Sequence, residues 1–95
     1  MKEQIKNTVK KYFTGKPVFK AYLFGSALHE DMISNDIDIL VELDYKSGAN
    51  YFLFFDMQQD LSELLNRKVD LVSANGLSPY IKPTIDSEKE LIYER

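Results

Sequence analysis

The chain has 95 residues, 44% apolar and 28% charged, which suits one globular domain and excludes a disordered chain. With no cysteine it has no disulfides, thiolate metal centres or cysteine nucleophiles. Without an apolar run near the roughly 20 residues of a membrane span, or a signal-peptide core in MKEQIKNTVKKYF, it reads as a cytoplasmic protein with no membrane contact. The net charge of −3 divides into +5 over residues 1–20, −7 over 21–60 and −1 over 61–95, and the acidic middle argues against direct nucleic-acid binding there.

Ile5, Val9 and Phe13 recur every four residues, so residues 2–14 are expected to form an amphipathic helix that Gly15 stops. Its lysines fall at helical spacing and read as a solvated face. Val18 to Phe24 is a β-type run closed by Gly25. Ala27 to about Met32 is expected to be a turn or short helix. Asp36 to Leu43 alternates as a strand, with Ile37, Ile39, Val41 and Leu43 on one face and Asp36, Asp38, Leu40 and Glu42 on the other. The loop DYKSGAN follows. Ser47 or Asn50 then caps a helix reaching about Asn66, with Phe54, Met57, Leu61, Leu64 and Leu65 as its core stripe. RKVDLV is a third short strand that turns Asp70 away from Val69 and Leu71. Ser78-Pro79 predicts the start of a last helix, which Pro83 kinks or shortens, and ELIYE closes the chain as a strand. The alternation predicts a sheet covered by helices.

Two features carry chemistry. Asp36 and Asp38 point the same way along a strand, with Cα atoms roughly 6.6 Å apart. Ionised carboxylates that close repel each other unless something positive stands between them. Mg²⁺ is the cation suited to a few carboxylates together with a substrate phosphate. Asp70 occupies a similar apolar setting, and pairing of the two strands would bring three carboxylates to one edge. Gly25 and Ser26 stand where a strand ends. Glycine permits close backbone approach, and the N–H groups and hydroxyl there would suit phosphate.

The segments FGS…SNDIDILVE and LNRKVDLVSANGLSPYIKPTI resemble the Gly-Ser…Asp-x-Asp signature and third-carboxylate segment of the DNA polymerase β-like nucleotidyltransferase superfamily. The likeness runs from Ala21 onward, and with the short length the chain looks like a minimal nucleotidyltransferase. The resemblance implies an α/β fold, a small mixed sheet flanked by helices, as a single nucleotidyltransferase domain over residues 1–95. It implies transfer of AMP from ATP to a hydroxyl, with Asp36 and Asp38 binding two Mg²⁺ ions. Asp70 would bind the nucleophile-side metal and help deprotonate the hydroxyl, and Gly25 and Ser26 would hold the β- and γ-phosphates. The implied partner is a HEPN-domain toxin, modified on a tyrosine.

The sequence departs from the family pattern in two places. Nine residues, Ala27 to Asn35, separate Ser26 from Asp36 where ten are common, and His29-Glu30 stands where an Arg-Gly pair is common. The second departure removes a guanidinium phosphate clamp. It favours the alternative of a non-catalytic antitoxin that neutralises its partner by complex formation. An accessory subunit for nucleotide or tRNA chemistry fits the acidic middle less well. Arg67 and Lys68, beside Asp70, read as surface charges. Tyr51, Phe52, Leu53, Phe54 and Phe55 cover more than one helix face, which suits a partner or homo-oligomer interface.

Overall fold

The computed structural model describes residues 2–25, 36–80 and 82–95. The elements are α1 (Lys2–Phe13), β1 (Val18–Phe24), β2 (Asp36–Leu43), α2 (Tyr51–Leu65), β3 (Lys68–Ser73), α3 (Lys82–Glu88) and β4 (Glu90–Glu94). The expected turn or short helix over Ala27 to about Met32 lies outside the described residues.

The four strands form one sheet in the order β3-β2-β1-β4. β1 pairs antiparallel with both β2 and β4, whereas β2 and β3 run parallel. A parallel pair needs a crossover, and α2 supplies it. Asn50 caps α2 by accepting a hydrogen bond from the Leu53 amide at 2.9 Å, and Asn66 closes it in the left-handed conformation with φ 53°. The sheet is therefore mixed, as expected.

The alternation of β2 decides what each face of the sheet meets. Ile37, Ile39, Val41 and Leu43 face a core that also takes Ile5, Val9 and Phe13 of α1 and Met57 and Leu61 of α2. On the opposite face Leu40 packs with Tyr22 and with Ile85 of α3. The stripe expected on α2 holds at Met57, Leu61, Phe54 and Leu65 but fails at Leu64, which is 59% exposed. Leu64 lies at the last turn, beside Thr8, Lys11 and Tyr12, where a shallow cleft between α2 and α1 leaves it open to water.

The last helix begins later than Ser78-Pro79. Ser78 does accept hydrogen bonds, from the Tyr80 amide at its hydroxyl and from the Lys82 amide at its carbonyl. Pro83 then stands in the first turn of α3, where its missing N–H leaves no helical bond unmade, so the regular helix starts there and is short. The end of β4 is tied back across the sheet. Arg95 donates to Asp44 at 2.8 Å and to the Lys16 carbonyl at 3.1 Å, and its amide donates to the Phe19 carbonyl at 2.9 Å.

Phe13 is fully buried and meets Tyr93 at 5.7 Å between ring centroids, so α1 is part of the core rather than an appendage. Phe13→Ala is expected to cost about 3–5 kcal/mol, read from urea-denaturation midpoints. A loss below about 1 kcal/mol would show that α1 is dispensable to the core.

Candidate active site

The parallel pairing of β2 with β3 sets the geometry. Asp38 stands opposite Asp70, and Asp36 stands opposite Lys68. Neighbouring strands lie about 4.8 Å apart, and partners across a ladder point to the same face. Asp36, Asp38 and Asp70 are therefore brought together on one face of the sheet, as the sequence predicts, and all three are half-buried.

Their mutual repulsion is visible at Asp38. Burial, then the charge of Asp70, then that of Asp36 push its carboxyl above the ordinary carboxylate range, while the Lys68 ammonium pulls the other way. Lys68 reaches to 3.9 Å from Asp70 Oδ1 but is well exposed, so this pair offsets little of the repulsion.

Gly25 adds a constraint that sequence reasoning assigned to a ligand. Its φ is +67°, a region that favours glycine, and a Cβ placed there would lie 2.6 Å from Asp38 Oδ2. The close approach that glycine permits is thus already used by the Asp38 carboxylate. Gly25 seats Asp38, whatever it also does for a phosphate. Ser26, the other half of the expected phosphate site, lies outside the described residues, as do His29 and Glu30.

The donor set fits a hard cation. It is all carboxylate, it concentrates negative charge, and it holds one carboxyl above its ordinary pKa. Among the described residues no three acids or histidines converge tightly enough to enclose an ion by themselves. A cation held here would draw its remaining ligands from substrate oxygens and water, as Mg²⁺ commonly does. An apolar cavity of about 270 Å³, lined by Leu43, Tyr45, Ala49, Asn50, Tyr51, Phe54 and Ser73, lies at the opposite ends of β2 and β3 and is separate from the carboxylates. No described helix is long and apolar enough to cross a membrane.

A mixed sheet with acids paired across its parallel strands, behind a glycine at a strand end, is the arrangement that the resemblance to nucleotidyltransferases implies. The family model "Polymerase beta, Nucleotidyltransferase" matches residues 3–95, and the chain belongs to that family. A Methanocaldococcus jannaschii chain named "Putative protein adenylyltransferase" is 45% identical over 73 residues, covering 75% of this chain and 70% of its own length. Two solved structures share the fold at 22% identity. One is a chain in a tri-AMPylated Shewanella oneidensis HEPN toxin in complex with MNT antitoxin, with a TM-score of 0.76 over all of this chain and 74% of that one. The other is a chain of a toxin-antitoxin with AMP-PNP, with a TM-score of 0.77 over 95% of this chain and 73% of that one.

Two outcomes follow from the geometry. The folded state holds the Asp38 proton more tightly than the unfolded chain does. The ionised form therefore costs stability above the raised pKa, and that cost disappears as pH falls to the ordinary carboxylate value. Asp38→Asn is expected to raise the melting temperature in chelator at neutral pH, with the gain vanishing in melts near about pH 3. A variant no more stable than wild type at neutral pH would show that the charge is not strained.

Gly25→Ala is expected to cost at least about 1–2 kcal/mol from its backbone conformation alone. It should also displace Asp38 and blunt the rise in melting temperature expected of the wild type with Mn²⁺. A Gly25→Ala protein with an undiminished Mn²⁺ response would separate Gly25 from the carboxylate.

Proposed function

We propose that this protein is a metal-dependent protein adenylyltransferase. It transfers AMP from ATP to a tyrosine hydroxyl of a HEPN-domain toxin and so acts as the antitoxin of a pair. The observation that carries the reading is the register that sets Asp38 against Asp70 with Asp36 beside them. The name of the M. jannaschii relative and the modified toxin in complex with a chain of the same fold support the choice of reaction and partner.

In this reading residues 1–95 form a single catalytic domain working in the cytoplasm. Asp36, Asp38 and Asp70 would hold two Mg²⁺ ions, which when bound neutralise the triphosphate and polarise its α-phosphorus. Asp70, on the edge strand, faces the incoming hydroxyl and favours loss of its proton. The hydroxyl oxygen forms a bond to the α-phosphorus as the bond to pyrophosphate breaks. Gly25 and Ser26 would hold the β- and γ-phosphates through backbone N–H groups and the serine hydroxyl. Asp38 keeps its place against the Gly25 backbone, so the carboxylate meets the triphosphate in a fixed position.

One surface is compatible with a second reading, a binding antitoxin without turnover. Tyr51, Phe52 and Phe55 of α2 are 82%, 85% and 60% exposed, an apolar area of the kind that partners cover. Such a surface serves an enzyme that docks a protein substrate and a sequestering antitoxin equally.

The two readings part on mass. Incubated with its HEPN toxin, ATP and Mg²⁺, the protein is expected to add one or more AMP units to the toxin, as seen by intact-mass spectrometry. Asp38→Asn should abolish the addition and still co-purify with the toxin. Should the toxin's mass stay constant while Asp38→Asn neutralises it as well as wild type, the protein is a binder.

A further inference from the structure

β3 is the outermost strand on its side of the sheet, so alternate peptide groups along it point away from β2. Beside a covering helix such outward N–H groups need partners. α2 supplies them with two side chains one turn apart. Val69 N donates to Ser62 Oγ at 3.1 Å, and Leu71 N donates to Gln58 Oε1 at 2.9 Å. The Ser62 hydroxyl spends its own proton on the Gln58 carbonyl at 2.9 Å, which leaves its oxygen aimed at the strand. The two gripped amides belong to the residues immediately before and after Asp70.

We propose that Gln58 and Ser62 are positioning residues that hold Asp70 in register opposite Asp38 and thereby set the affinity of the site for its cation. This inference rests on the reading of Asp70 as a metal-bearing carboxylate. Val69 and Leu71 already pack their side chains into the core. Two polar acceptors at the amides of Val69 and Leu71, the residues on either side of the edge strand's only acid, add a constraint along the strand axis, the direction in which Asp70 would slip away from Asp38. Among the described residues, the backbone at Asp70 is otherwise held by its pairing with β2. The like charge opposite pushes against that hold. The side chains of α2 thus oppose a repulsion that the site itself creates, as partners behind a ligand do in other metal sites.

The test uses Mn²⁺ alone, without nucleotide or partner, titrated by calorimetry and by the rise in melting temperature. Gln58→Met keeps the length of the side chain and removes the acceptor. Ser62→Ala removes the hydroxyl, and Ser62→Thr keeps it. Gln58→Met and Ser62→Ala are each expected to weaken Mn²⁺ binding about fivefold, the worth of one hydrogen bond, and Ser62→Thr to restore it within about twofold. Ser62→Ala carries the test should Gln58→Met fail to fold.

A merely structural role would lower the urea midpoint and leave the Mn²⁺ constant unmoved, and that result overturns the proposal. Asp70→Asn separates the two levels. If Asp70→Asn loses Mn²⁺ while Gln58→Met and Ser62→Ala bind as wild type, the positioning role is wrong and the site stands. If Asp70→Asn binds as wild type, or the wild type itself does not bind Mn²⁺, the site reading falls and this inference with it.

Discussion

The repulsion between Asp38 and Asp70 is the constraint around which this structure is arranged. The backbone ladder sets the two carboxylates side by side across a parallel strand pair, with Asp36 two residues away on the same face. Partial burial withdraws the water that would screen them, and Asp38 responds by holding its proton more tightly than a free carboxylate does. A slip of two residues that set Asp70 opposite Leu40 would keep the faces of the sheet and move Asp70 away from Asp38. The register instead persists, so the sheet must supply enough favourable energy to hold it.

That energy comes from the far side of the same strands. Ile37, Ile39, Val69 and Leu71 alternate with the acids and bury their side chains against α1 and α2. Each buried aliphatic side chain contributes about 1.5–3 kcal/mol, so four of them outweigh the repulsion of partly solvated carboxylates. The period of two along a strand links the functions: the residues that stabilise the sheet and those that strain it are neighbours in sequence and opposite in direction. Gly25 completes the arrangement at the end of β1, since only a residue without a side chain lets the backbone pass so near Asp38 Oδ2.

The alternation in β2 was legible in the sequence because DIDILVEL repeats with period two and lies between polar segments. The sharing of a face by Asp36 and Asp38 followed from it. The choice of register was not legible. VDLV is too short to favour one pairing over another, and its alignment with DIDI depends on the length of α2 and on contacts made in three dimensions. Gln58 and Ser62 gave no signal, since on a helix wheel they are ordinary polar residues at the border of the apolar stripe. Their partners are backbone amides in an edge strand whose position had first to be known. Leu64 departs from the stripe because it opens onto the shallow cleft that Thr8, Lys11 and Tyr12 line rather than onto the core. Gly25 was singled out as a place of close approach, and only the structure shows that the approaching group is Asp38.

α2 joins these themes. Its inward face carries Met57 and Leu61 into the core, one flank carries Gln58 and Ser62 to the edge strand, and its N-terminal turns expose Tyr51, Phe52 and Phe55. These roles occupy different angles of one helix, so altering one side chain need not disturb the others. The exposed aromatics lie on the N-terminal turns of α2, whereas the three carboxylates lie on β2 and β3. On the proposed reading, partner binding and metal binding would for this reason be separable by mutation in a chain of 95 residues, even though a single helix would support both. That separability lets a loss of chemistry at Asp38 be distinguished from a loss of docking at Phe52.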